Sequence, residues 1–178
     1  MRIRPTRVQG IWELIPEPIN DERGSFARIL DVDQLDLEAI AFELHQANVS
    51  SNARAGTLRG MHYQAAPHGE IKVVRCTRGA VFDVGVDLDP TSPTYREWHA
   101  AELTPENGMA LLLGPCIAHG FQTLVDDSDV HYLMGAPYIA EAQRGVRWND
   151  PAFGIAWPEP ASQRIISERD QALPLMTD

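Results

Sequence analysis

His62, Gln64 and Lys72 stand close together in the stretch from Gly56 to Leu88, GTLRGMHYQAAPHGEIKVVRCTRGAVFDVGVDL. Histidine takes up and releases a proton near neutral pH, and lysine carries a positive charge there. Such a pair is suited to removing a proton and to holding the negative charge left behind. Further along stand His119, in GPCIAHGF (114–121), and Tyr132. Each has a plainer reading: a lone histidine or tyrosine on a strand is more often structural, and a lone lysine is usually solvated. The elements around them must therefore bring them together before they count as a site.

The surrounding pattern is one of strands. Phe82, Val84, Val86 and Leu88 alternate with Asp83, Gly85 and Asp87, which predicts a half-buried strand preceded by a turn at Arg78-Gly79. His62, Gln64 and Lys72 then lie on or beside strands of a small antiparallel sheet. Val8 to Ile15 predicts a strand ending at Pro16 and Pro18, and DERGSF (21–26) a polar turn. Residues 31–40 predict a short helix capped by Asp31 or Asp33, with Leu35, Leu37 and Ile40 on its apolar side. Phe42, Leu44, Gln46 and Asn48 alternate along another strand; the polar end of that face meets either a cavity or solvent. Strands are expected again at 98–103, 109–113 and 130–134, the last carrying Tyr132, and GPCIAHGF (114–121) predicts a turn followed by a strand with His119 near its start. RWNDPAFGIAWP (147–158) predicts a capping segment, and SERDQALP (167–174) a short polar tail.

The chain has 178 residues, 13 prolines and 13 glycines, which favours one all-β domain over 1–178 with a few short helices. No apolar run approaches the about 20 residues of a membrane span. The charged start MRIRPTRVQG lacks the apolar core of a signal peptide. A formal net charge of -10 speaks against nucleic acid as a partner. Cys76 and Cys116 lack metal-ligand spacing and are expected as free thiols in the cytoplasm.

The spacing Gly56, His62, Gln64, Lys72, Gly79 resembles the first motif of the cupin superfamily, and Gly108, Gly114, His119 its second. The resemblance implies a jelly roll, with His62, Gln64, Lys72 and His119 converging inside a barrel. Only two of these are good metal ligands, and a lysine brings positive charge where a cation would sit, so no metal and no cofactor are expected. The set suits an anion, or an oxyanion that develops during a reaction.

A narrower resemblance covers nearly the whole chain. LRGMHYQ (58–64), KVVRCTRGAVFDVGVDL (72–88), SPT (92–94), Trp98, AHGF (118–121), RWNDP (147–151), DERGSF, Gln46, Asn48, Ser50 and SERD (167–170) look like the dTDP-4-dehydrorhamnose 3,5-epimerase family. That resemblance implies an isomerase acting on a nucleotide-linked 4-keto-6-deoxy sugar, and a homodimer whose N-terminal segment reaches the partner's site. It places the base at His62, its orienting carboxylate at Asp170, the enolate stabiliser at Lys72 and the proton donor at Tyr132. Arg59 and His119 match diphosphate contacts. Arg23 and Phe26 match residues that cross to the partner's nucleotide, and Gln46, Asn48 and Tyr138 others around the nucleotide and sugar. Arg169 stands where the family has a lysine. Arg28 and Gln143 replace frequent family glutamates near the base, which makes a CDP- or GDP-linked sugar the alternative to a dTDP-linked one. Two rival readings are a sugar-nucleotide-binding cupin without catalysis and a metal-dependent cupin enzyme.

Overall fold

In the computed structural model, which describes residues 1–160 and 163–176, strands follow one another with little helix between them. In chain order they are β1 (Arg2–Pro5), β2 (Ile11–Ile15), β3 (Ile19–Asp21), β4 (Gly24–Phe26), α1 (Val32–Leu37), β5 (Gln46–Asn52), β6 (Thr57–Gln64), β7 (Lys72–Arg78) and β8 (Val81–Asp87). After these come β9 (Trp98–Leu103), β10 (Ala110–Leu113), β11 (Ile117–Thr123), β12 (Ser128–Met134), β13 (Gln143–Gly145), β14 (Ile165–Ile166) and α2 (Glu168–Gln171). One six-stranded sheet runs β1-β2-β10-β7-β12-β5. A second runs β13-β6-β11-β8-β9, with β14 added to β6, and β3-β4 form a separate hairpin. The two large sheets pack face to face as a cupin-type jelly roll. None of the described helices is long and apolar enough to cross a membrane.

Three apolar clusters hold the layers. Ile11, Val74, Cys76, Val81, Leu103, Leu111, Leu113, Ile117, Phe121 and Val130 fill the space between the sheets. Leu58, Met61, Val84, Val86 and Ala118 form the outer face of the second sheet, covered by Val146, Phe153 and Trp157. That cover is the capping segment expected at 147–158. On the outer face of the first sheet, Leu14, Val73, Ala110 and Leu112 meet Leu35, Ile40 and Phe42 from around α1.

Four expectations need correction. The strand expected over Val8–Ile15 is β2 and begins at Ile11, because residues 6–10 turn the chain into it from β1, with Gly10 at φ +81°. The segment 21–26 is more than a turn; it closes the β3-β4 hairpin. On α1, Asp31 caps as expected, but Leu37 is 87% exposed, so the apolar side is Leu35 and Ile40 alone. Residues 41–45 are not strand; Phe42 is buried under α1 while Leu44 is exposed.

The alternation on β8 is present, but the strand is buried on both faces. Its apolar side lies under the capping segment, and its polar side turns inward. A Cβ on Gly85 would come within 2.7 Å of Ile11 and 3.0 Å of Leu113 and Ile117, so that inner face is tightly packed. Asp83 and Asp87 persist there because each finds polar partners, His119 for one and Thr94 for the other.

Candidate active site

One end of the space between the sheets opens as a cleft of about 300 Å³, lined by Ser50, Arg59, His62, His119, Phe121, Tyr132, Ser167, Arg169 and Asp170. Ser50 and Tyr132 come from β5 and β12 of the first sheet. Arg59, His62, His119 and Phe121 come from β6 and β11 of the second. Register sets the rows: His62 pairs with His119 on β11, which pairs with Gly85 on β8.

Strand alternation alone would point Arg59 and His62, three positions apart, to opposite faces. A bulge on β6 prevents this. Between the pairs His119–His62 and Phe121–Arg59, β6 advances three residues while β11 advances two. The extra residue falls at Gly60-Met61. Gly60 has φ +123°, and a Cβ there would lie 2.6 Å from Gly120 Cα and 2.8 Å from the His119 carbonyl oxygen. Only glycine allows the two strands this approach. Both reactive side chains therefore face the cleft while Met61 turns outward into the second cluster.

The tail closes the site. β14 runs parallel to β6, with Ile165 opposite Thr57, and returns the chain to the cleft. Ser167 then caps α2, its hydroxyl oxygen accepting the Asp170 N–H at 3.1 Å. This seats Asp170 with Oδ1 2.8 Å from His62 Nε2 and Oδ2 accepting the Gly60 N–H at 3.2 Å. Burial raises the Asp170 carboxyl, but the hydrogen bond and charge of His62, the Gly60 N–H and Arg169 outweigh it and leave its pKa below the ordinary carboxylate value. An ionised carboxylate only accepts, so Nε2 carries the proton and Nδ1 is the ring nitrogen left to act as a base. The Asp170 side chain is 7% exposed and that of His62 33%, so the carboxylate is sheltered and the imidazole open to the cleft.

Across the cleft, Tyr132 meets His119 edge-on at 5.7 Å between ring centroids. Burial and the charge of Asp83 push the Tyr132 phenol well above its ordinary pKa, with Arg59 pulling the other way. The hydroxyl is thus held protonated. His119 Nε2 lies 2.8 Å from Asp83 Oδ1 in a buried pair, and Asp83 Oδ2 has no hydrogen-bond partner among the described residues.

Of the four residues expected to converge, only His62 and His119 reach the cleft wall. Lys72 pairs with Met134 on the inner face of its sheet, and its Nζ lies 2.6 Å from Glu70 Oε1. Gln64 donates to Glu70 Oε2 at 2.9 Å and accepts the Ile139 N–H at 2.8 Å. The buried Glu70 carboxylate draws both side chains to itself. Among the described residues, no three His, Cys, Asp or Glu side chains are grouped to hold a metal ion.

The remaining expected site residues are more scattered. Arg59 and Arg169 line the cleft. Gln46 and Asn48 lie on the exposed edge strand β5, where Asn48 is the register partner of Tyr132. Tyr138 is exposed and its hydroxyl meets Gln143 Oε1 at 2.6 Å. Arg23 and Phe26 sit on the exposed hairpin, Arg23 paired with Asp21, and line a separate hollow. Arg28 reaches Asp31 at the start of α1, outside the cleft. Phe121 and Ser167 in the lining, and Asp83 and Glu70 behind it, are additions that residue type alone did not mark. The β8 alternation offered a signal for Asp83, since it put a carboxylate on a regular face of a strand.

The family model described as dTDP-4-dehydrorhamnose 3,5-epimerase matches residues 5–178. A dTDP-4-dehydrorhamnose 3,5-epimerase of Sinorhizobium fredii is 42% identical over 163 residues, covering 92% of this chain and 83% of the relative. A dTDP-4-dehydrorhamnose 3-epimerase of Streptomyces niveus is 39% identical, covering 100% of this chain and 85% of the relative. The crystal structure of the 3,5-epimerase of Bacillus anthracis with TDP and PPi bound superposes with a TM-score of 0.92 at 35% identity, covering 98% of this chain and 99% of that one. A family match over almost the full length, carried on the same jelly roll, places this chain in the dTDP-4-dehydrorhamnose 3,5-epimerase family.

Proposed function

We propose that the protein is an isomerase that inverts the configuration at C3, at C5 or at both in a dTDP-linked 4-keto-6-deoxy sugar. The observation that carries this reading is the pairing of His62 with Asp170 on one sheet's side of a cleft whose other side presents a protonated Tyr132. Inversion beside a ketone needs a base on one face and an acid on the other. In the proposed sequence, His62 Nδ1 takes the proton from the carbon next to C4, and the electron pair moves onto the C4 oxygen as an enolate. Asp170 balances the imidazolium that forms. Tyr132 returns a proton from the opposite face and is itself reprotonated by solvent.

Lys72 supplies positive charge on the inner face of the sheet that carries Tyr132, and its proposed part is to stabilise the enolate oxygen electrostatically. Arg59, His119 and Arg169 hold the diphosphate and sugar. We further propose a homodimer in which the β3-β4 hairpin carries Arg23 and Phe26 to the partner's nucleotide, where Gln46, Asn48, Tyr138 and Gln143 complete the surroundings. The exposure of Phe26, 76%, and of Ile19, 74%, supports a hairpin that gains its cover from another chain. A cytoplasmic site of action accords with the unpaired Cys76 and Cys116.

The test is NMR of a dTDP-4-keto-6-deoxy-glucose incubated with the protein in heavy water. Deuterium at C3 or C5 together with an inverted product is the expected result. Binding of the sugar nucleotide with no exchange at either carbon would make the protein a binding cupin instead.

A further inference from the structure

Arg59 is the cation of the cleft wall most directly placed by another side chain, and that side chain is Asn52. Asn52 ends β5 and is 4% exposed. Its amide hydrogens are both used: Nδ2 donates to the Ser50 carbonyl at 3.0 Å and to the Ser128 carbonyl at 3.0 Å. With both donors committed to carbonyls, Oδ1 can only face the other way. There it accepts from Arg59 Nε at 2.8 Å and from the Ser50 hydroxyl at 3.4 Å. An asparagine with two donors and two acceptor sites occupied has one orientation.

The consequence falls on the guanidinium. Its Nε edge is tied to Asn52, and its two terminal nitrogens have no partner among the described residues. These carry the remaining N–H donors, in a planar fork that matches paired phosphate oxygens. Ser50, the other side chain tied to Asn52, lines the same cleft.

We infer that Asn52 is a positioning residue for recognition of the substrate's diphosphate, locking the Arg59 fork toward the cleft and setting the Ser50 hydroxyl beside it. Asn52 touches no substrate; it acts by removing the freedom of a long side chain before the diphosphate arrives. The inference rests on the reading of Arg59 as a diphosphate contact, and the experiment separates the two.

Binding of dTDP and of thymidine is measured by calorimetry to wild type, Asn52→Ala, Arg59→Ala and the double variant, with thermal unfolding of each. Arg59→Ala should weaken dTDP roughly 10- to 150-fold, the range of a charged hydrogen bond, and leave thymidine unchanged. Asn52→Ala should weaken dTDP roughly 2- to 12-fold, the range of one ordinary hydrogen bond, again without effect on thymidine. In the Arg59→Ala background the Asn52 change should add nothing. In turnover, Asn52→Ala should raise KM more than it lowers kcat. If Arg59→Ala leaves dTDP binding intact, the reading of Arg59 fails. If Arg59→Ala weakens dTDP but Asn52→Ala does not, or weakens it equally in both backgrounds, Asn52 is structural and the inference is wrong. Should Asn52→Ala not fold, Asn52→Asp takes its place: its carboxylate still accepts from Nε but counters the charge, so dTDP should weaken and thymidine should not. Unchanged dTDP affinity in Asn52→Asp would equally overturn the inference.

Discussion

Replacing Asp170 by asparagine removes one charge and almost no volume, so its effect isolates the dyad. In the native site both carboxylate oxygens accept, Oδ1 from His62 Nε2 at 2.8 Å and Oδ2 from the Gly60 N–H at 3.2 Å. An asparagine has one acceptor oxygen and one donor nitrogen. It can satisfy His62 or Gly60 but not both, and the other N–H is set against an amide donor. A hydrogen bond to an ionised group contributes about 1.5–3 kcal/mol, and each 1.36 kcal/mol is tenfold in rate. The loss in kcat should therefore be roughly 10- to 150-fold, with KM changed little, because Asp170 acts on the base and not on the nucleotide. Initial rates of C–H exchange in heavy water, followed by NMR at saturating substrate, measure it directly. Exchange within twofold of wild type, or a loss confined to KM, would refute the assignment of Asp170 as the group that orients and charges His62. The same variant has a stability signature. The folded Asp170 pKa lies below its ordinary 3.8, so its stabilising contribution is complete above that value and is lost as pH falls through the folded one. The stability gap between wild type and Asp170→Asn should accordingly close on acidification below about pH 4, as read from urea unfolding at a series of pH values.

Tyr132→Phe should still allow the enolate to form, so His62 can return deuterium to the face it came from; exchange with retention and little inversion is expected, and inversion at the wild-type rate would remove Tyr132 as donor. Gly60→Ala forces a Cβ to within 2.6 Å of Gly120 Cα, and a loss of stability of at least about 1–3 kcal/mol is expected by denaturant titration, with a parallel loss of turnover. Glu70→Gln leaves the Lys72 ammonium, 5% exposed, without its counter-ion; the cost should be about 3–5 kcal/mol, and much of it should return in the Glu70→Gln, Lys72→Met double variant.

Strands, turns and the two apolar faces could be read from alternation, because period two is a local property of the backbone. The β8 alternation and the Arg78-Gly79 turn stand where the pattern put them. Which face is inward could not be read, since inner and outer faces of this sandwich are both covered. Asp83 therefore looked solvent-facing and lies in the core. The pairing of His62 with Asp170 joins positions 108 apart and has no periodic signal at all; only the family resemblance supplied it. Lys72 shows another limit of residue type. Its type pointed to a positive charge near the substrate but not to the carboxylate that shares that charge, Glu70 Oε1 at 2.6 Å. Asn52 escaped notice because its importance lies in geometry, in which way an amide faces, and residue type says nothing of that.

The single extra residue in β6 has a consequence for how such a site can be altered or transplanted. Along a regular strand, parity and sidedness are locked together, so a residue's odd or even place tells its face. At Gly60-Met61 the parity resets. Deleting one residue between Arg59 and His62 would not trim the site but invert half of it, sending His62 or Arg59 into the packed outer layer. A graft of these side chains onto a regular β-sandwich would fail for the same reason unless it carried the supernumerary residue and the two facing glycines, Gly60 and Gly120, as one indivisible unit.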